Sequence, residues 1–179
     1  MWREELKRKL EGLNLHRILA ELKKRGLDVY KTHSAVYHIL AGSVPNLDNL
    51  RFLNFLKGID YSDLEIGKII NEILKEDMGI SVSIEDLELA ESLPKGTATS
   101  VFVAKKLREF RHSELPAYRL FYQVGINDPW RVAKGEKKIR KSTAKKLLGW
   151  FGREYIPYFL ADFLSQEYLS CLKKYLSSV

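Results

Sequence analysis

Three observations on the 179-residue sequence predict an all-α fold of two small helical bundles joined by a short linker. Apolar residues recur at three- and four-residue intervals along almost the whole chain, the period of helices with one buried face. One stretch, residues 93–100 (L-P-K-G-T-A-T-S), has no such period and combines Pro, Gly and small hydroxyl residues, as linkers do. Charge changes sign across it: residues 1–92 hold 13 Lys/Arg against 16 Asp/Glu, and residues 93–179 hold 17 against 7.

In chain order the periodicity predicts helices over 2–11, 14–25, 34–41, 47–57 and 62–76, the last with a broad stripe of Leu64, Ile66, Ile69, Ile70, Ile73 and Leu74. Residues 78–83 (M-G-I-S-V-S) read as a short strand or an extended turn. Ser83, with Asp86 three residues on, reads as the N-cap of a helix over 84–92. Beyond the linker, helices are expected over 100–111, 114–124, 128–134, 140–151 and 156–176. Around Phe159 the last of these is apolar on most sides and must be buried on more than one face. It either packs within the chain or forms a homodimer interface. The expected domains are 1–92, the linker 93–100, and a basic domain over 101–179.

Composition narrows the function classes. Cys171 is the single cysteine, which excludes an internal disulfide framework and a cysteine-based zinc site. The longest apolar stretch, 156–164, is interrupted by Asp162 and too short to span a bilayer. With no cleavable signal visible in the charged first residues, a soluble cytoplasmic protein is expected. A charged fraction of 30% with two Met and one Cys suits a thermophile, but thermophilic surfaces intersperse the signs, whereas here they cluster. Clustering points to a polyanionic partner. The ten acids of 60–92, from Asp60 to Glu91, form a solvated face or a docking face for a basic protein partner.

The sharpest cluster is residues 131–146 (R-V-A-K-G-E-K-K-I-R-K-S-T-A-K-K), where eight of sixteen residues are basic and Glu136 is the only acid. Apolar Val132, Ile139, Ala144, Leu147, Leu148 and Phe151 run through and past it at helical spacing. A cationic run with a buried face is a folded surface rather than a disordered tail. Upstream, Gly125 can end a helix with positive φ, Asn127 or Asp128 can cap the next one, and Pro129 suits its first turn. That second helix is short and stops at Gly135. Then Ile139, Thr143, Ala144, Leu147, Leu148, Phe151 and Gly152 follow.

Residues 101–152 resemble the helix-turn-helix family of the lambda-repressor and Cro type. The stretch 139–152 (I-R-K-S-T-A-K-K-L-L-G-W-F-G) is similar to the family's "I-S-x-x-T-A-x-x-I-A-x-x-L-G" helix. Two positions depart from the pattern: Arg140 stands where a small N-capping residue is usual, and Pro116 falls near the start of the second helix. A fainter copy lies in the N-terminal half, where Gly26 ends one helix, 34–42 (S-A-V-Y-H-I-L-A-G) forms the next, and Leu47, Leu50, Leu53 and Leu56 follow. Gly26 and Gly42 are 16 positions apart, against 10 for Gly125 and Gly135, and the segment reads equally as a plain helical hairpin.

The resemblance implies a recognition helix in the major groove of double-stranded DNA. Its base-reading candidates are Asn127, Asp128, Trp130, Arg131 and Lys134, with Arg131 foremost because a guanidinium can pair bidentately with guanine. Asn127 reads adenine or caps the helix, and Trp130 reaches a sugar or thymine methyl or belongs partly to the core. Phosphate-binding candidates are Lys137, Lys138, Arg140, Lys141, Ser142, Lys145 and Lys146. Roughly six neutralised phosphates imply a slope of log K against log salt of about −5. Thr32, His33, Ser34, Tyr37 and His38 form the second candidate DNA site.

Nothing points to an enzyme, a metal or a cofactor. No phosphate loop or dinucleotide glycine fingerprint occurs. His33 and His38 lack a carboxylate at metal spacing, and Cys171 has no histidine nearby in sequence. The expectation is a sequence-specific transcriptional regulator acting at the nucleoid. The alternatives are an architectural, replication or segregation factor of low selectivity, and a helical adaptor or antitoxin. Structured RNA stands beside duplex DNA as a partner, although the aromatic sheet signature of common single-strand readers is missing.

Overall fold

The computed structural model describes residues 1–109 and 117–179, and the described residues are helical with no strand among them. The helices are α1 (Trp2–Leu10), α2 (Leu15–Lys24), α3 (His33–Leu40), α4 (Arg51–Gly58), α5 (Asp63–Glu72), α6 (Ile84–Ser92), α7 (Ala98–Glu109), α8 (Ala117–Gln123), α9 (Pro129–Ala133), α10 (Lys141–Phe151), α11 (Ile156–Phe163) and α12 (Gln166–Ser178). A π turn over Ile73–Asp77 extends α5, and a 3-10 turn over Gly152–Glu154 precedes α11.

Two of the boundaries that differ from expectation are set by hydrogen bonds, one pair local and one long-range. α4 begins at Arg51 rather than 47 because the side chains of Asn46 and Asn49 accept bonds from the N–H groups of Asp48 and Arg51, folding this stretch into turns. The helix expected over 156–176 is interrupted at Ser165, whose backbone is extended and whose N–H donates to the Leu47 carbonyl at 2.8 Å. Residues 78–83 contain no strand. The sequence-based expectations for 110–116, including Pro116, lie outside the described residues.

Contacts divide the chain into two compact units, one of residues Met1–Ile84 with Leu164–Val179 and the other of Glu85–Phe163. Residues 93–100 are therefore not a connector between the units. They form a turn and the start of α7, where Ala98 and Thr99 are buried and donate their N–H groups to the two carboxylate oxygens of Asp162, each at 2.8 Å. The long apolar C-terminal stretch is shared out: α11 belongs to the second unit and α12 to the first.

In the first unit Trp2, Leu6, Phe52, Phe55 and Leu56 form the fully buried centre, with Trp2 and Phe52 edge to face. α12 lies so close along α5 that a Cβ on Gly67 would sit 2.1 Å from the carbonyl oxygen of Cys171, so no larger residue fits there. Arg3 ties three elements together. It donates to the carbonyls of Ile39, Gly42 and Ser43 at the end of α3 and forms an ion pair with Asp77 of the π turn at 2.9 Å.

In the second unit α7 is the hub against which α8, α9 and α11 pack. Phe102 carries the contact, with ring centroids of Phe151, Tyr155 and Tyr158 all 5.0 Å away. The hydroxyls of Tyr155 and Thr99 are 2.7 Å apart. Lys106 is buried beside Phe102 and Phe151 and donates to Glu109 at 2.8 Å and to Glu154. Burial pulls the Lys106 ammonium pKa down, but the two carboxylates outweigh it and hold the value above the ordinary one.

Candidate nucleic-acid interface

The second unit presents α9 through two cap motifs. At the end of α8 the Gly125 N–H bonds to the Tyr122 carbonyl at 3.1 Å and the Ile126 N–H to the Phe121 carbonyl at 2.9 Å, with Gly125 at φ +92°. At the end of α9 the Gly135 N–H bonds to Val132 and the Glu136 N–H to Arg131, both at 3.0 Å. These paired bonds close each helix with a left-handed residue, which glycine adopts without strain. Ile126, Pro129 and Val132 face the core and fix which side of α9 looks outward.

That outward side carries most of the expected base readers. Asn127, Trp130, Arg131 and Lys134 are exposed, Trp130 at 60%. Asp128, not Asn127, is the N-cap: its side chain accepts from the Arg131 N–H at 3.3 Å, so Asn127 is free of that task. Trp130 is not a core residue. Arg131 is joined through Nε to Glu136 at 3.6 Å, a pairing between two exposed side chains that the sequence reading did not anticipate.

The phosphate-binding candidates follow immediately. Lys137 and Lys138 are exposed on the turn after α9, held by half-buried Ile139, and they border a cleft of about 150 Å³ over Gly96, Thr99 and Asp162. Arg140 is the N-cap residue of α10 without a side-chain cap bond, and the first turn of α10 contains no acid. Ser142, Lys145 and Lys146 are exposed on α10, whereas Lys141 is half-buried. Among the described residues no carboxylate pairs with Lys137, Lys138, Arg140, Lys145 or Lys146. Cations at a helix N-terminus oppose the macrodipole, so this arrangement is unfavourable until an anion arrives. Tyr122 and Trp150, absent from the sequence-based set, are also exposed, at 64% and 54%.

Thr32, His33, Ser34, Tyr37 and His38 are all exposed on the first unit, with Thr32 as the N-cap residue of α3. The His33 ring packs edge to face between Tyr37 at 5.7 Å and His16 at 6.4 Å. The other partner surfaces expected from sequence come out differently. The apolar face of α12 (Tyr168, Leu169, Cys171, Leu172) is buried in its own unit, chiefly against α5, rather than forming a free dimerisation face. The 60–92 acids are divided between the two units. Of these, Asp63 pairs with Lys57 and Lys174, Asp77 pairs with Arg3, and Glu65 closes a capping box with Ser62. Among the described residues no group of His, Cys, Asp or Glu is arranged to hold a metal, and no helix is long and apolar enough to cross a membrane.

No protein-family model, curated protein or solved structure matches the chain.

Proposed function

We propose that the second unit binds double-stranded DNA, with α9 entering the major groove and the 137–146 segment gripping the backbone, and that the protein acts as a sequence-specific transcriptional regulator at the nucleoid. One observation carries this reading: five exposed cations, unpaired among the described residues, follow directly on an outward-facing short helix. Phosphates relieve both the mutual repulsion of those cations and their conflict with the α10 macrodipole. In this reading Arg131, Asn127 and Lys134 meet base edges, and Trp130 meets a sugar or a thymine methyl.

A second reading, an architectural, replication or segregation factor of low selectivity, is favoured by a specific pair of contacts. Asp128 is occupied as a cap and Arg131 by Glu136, which leaves fewer side chains free to read bases. Selection of bound sequences from a random duplex pool at two salt concentrations separates the two. A regulator enriches a motif that survives high salt, and Arg131→Ala erases discrimination at one position, an effect of about 1–3 kcal/mol. A low-selectivity factor enriches nothing, and Arg131→Ala then costs no more than any phosphate-contacting lysine. Charge reversal at Lys137, Lys138, Arg140 and Lys141 that leaves duplex affinity unchanged would sink both readings and favour a protein-binding adaptor or antitoxin.

A further inference from the structure

We propose that the α2–α3 corner of the first unit is a second duplex-contacting surface, so that one chain grips DNA at two places. This rests on duplex DNA being the partner proposed above.

The first observation is that the cap geometry repeats. At the end of α2 the Gly26 N–H bonds to the Lys23 carbonyl at 2.9 Å and the Leu27 N–H to Leu22 at 3.2 Å. At the end of α3 the Gly42 N–H bonds to Ile39 at 3.1 Å and the Ser43 N–H to His38 at 3.0 Å. These are the same paired bonds, at the same places, as those around Gly125 and Gly135. Of the six extra residues between the first pair of glycines, three lie in the stretch before α3 and three in α3 itself, which has eight residues against five for α9. α3 therefore stands in its unit as α9 stands in the other, between two glycine caps and followed by a helix.

The second observation concerns charge. The half-chain is acidic, yet only two of its sixteen acids lie in the α2–α3 stretch. The two acids of the α2–α3 stretch, Glu21 and Asp28, are paired with Arg25 and Arg51. Arg17, Lys23, Lys24 and Lys31 are exposed and, among the described residues, have no carboxylate partner. Arg17 and Lys24 are seven residues apart and so share one outward face of α2. Lys23 reaches the Lys31 carbonyl at 2.7 Å, which holds the turn that leads into α3. Elsewhere in this unit Arg3, Lys57 and Lys174 have acids beside them, whereas Lys7, Arg8, Lys68 and Lys75 are exposed and, among the described residues, lack a carboxylate partner too. Net charge by half-chain hides this corner because it sums paired and unpaired groups alike.

The exposed hydroxyls of Thr32, Ser34 and Tyr37 are the kind of groups that donate to phosphate oxygens. Fixed positive charge beside them adds counterion release to the binding free energy. Helix-turn-helix proteins ordinarily obtain two contact surfaces by pairing two chains; here one chain supplies both.

The test uses the full chain and a mixed-sequence duplex of roughly 40 base pairs, about four helical turns. Affinity is measured across a salt series for the parent, for R17Q/K24Q/K31Q, for K137Q/K138Q/R140Q/K145Q/K146Q, and for the control K68Q/K75Q, which lowers the charge of the first unit away from the corner. The expected result is that the corner variant flattens the salt slope by roughly 2 to 3, the control by less than about 1, and the second-unit variant by about 4. No variant should melt below the parent, since every changed side chain is exposed and removing unpaired cations relieves repulsion. A corner variant with the slope of the parent or of the control overturns this inference while leaving the reading of the second unit intact. A second-unit variant with the parent slope overturns that reading instead. A parent chain without duplex affinity overturns both.

Discussion

In the first unit, one cation on each of α1, α4 and α12 stands beside an acid: Arg3 by Asp77, and Lys57 and Lys174 by Asp63. In the second, Lys105 and Lys106 are matched to Glu109 and Glu154, after which five successive exposed cations from Lys137 to Lys146 have no such partner among the described residues. Both units close their short helices with the same glycine caps, so the difference is not one of local fold. It is one of where charge is left unbalanced. Balanced pairs hold elements together; unbalanced cations cost repulsion in the free protein, and a polyanion removes that cost.

Packing distinguishes the units as sharply as charge does. The first unit joins α5 to α12 through Gly67, where a Cβ would meet a backbone oxygen that cannot step aside. Gly67→Ala should destabilise that unit by at least about 3 kcal/mol, because overpacking against backbone cannot relax through rotamers. Gly149, on the exposed face of α10, has nothing within 4 Å of its Cβ position. Gly149→Ala should therefore stabilise the second unit by about 0.5–1 kcal/mol. Hydrogen exchange of α5 and α12 amides against α7 and α10 amides checks both. Unchanged protection in α5 and α12 of the Gly67 variant would break the comparison.

Arg3 gives the next largest effect. Its removal leaves Asp77 and three carbonyls at the end of α3 without their donor. Arg3→Ala should cost about 2–3 kcal/mol, felt in α1 and α3. Arg3→Lys should recover only part of it, because an ammonium cannot reproduce the planar fork. Its counterpart in the second unit is Asp162, whose two oxygens cap α7. Asp162→Ala should cost about 1–2 kcal/mol, with exchange rising in α7 while α1 and α3 keep their protection. Loss spread evenly over both units would show that they do not open separately.

Helix positions were largely legible because periodicity and glycine caps are local signals: Gly125, Gly135 and Gly152 mark the ends of α8, α9 and α10 in the sequence and in the fold. Long-range partners were not legible. Nothing near residue 98 announces that Asp162 will cap α7, so residues 93–100 read as a linker. Ser165 interrupts the last apolar run through a bond to Leu47, more than a hundred residues away in sequence. At the candidate site, exposure of Arg131, Lys134, Lys137, Lys138, Arg140, Lys145 and Lys146 followed from helical spacing, and half-burial of Lys141 did not. The Arg131–Glu136 pairing and the unpaired corner on α2 did not, because a sequence counts charges without pairing them.

The smallest expected effect separates the two kinds of ion pair. The Lys174 ammonium hydrogen-bonded to Asp63 holds that carboxyl below its ordinary value of 3.8, and Lys106 does the same to Glu109, whose ordinary value is 4.5. A carboxyl lowered in the fold adds stability above its unfolded value and loses that contribution as pH falls through its folded value. Both units therefore weaken on the acid side, beginning near pH 4.5 for Glu109 and somewhat lower for Asp63. Salt should divide them. Asp63 and Lys174 are both solvent-exposed at 40% and 55% of their side chains, whereas the Lys106 side chain is 7% exposed. At about 1 M salt the screening length is about 3 Å, so the Asp63 shift should largely vanish while part of the Glu109 shift persists. Carboxyl titration by NMR at about 0.05 M and about 1 M salt reads both directly. Equal salt responses would mean that the burial of Lys106 does not shield its pairs, and the contrast between a surface bridge and an anchored one would fail.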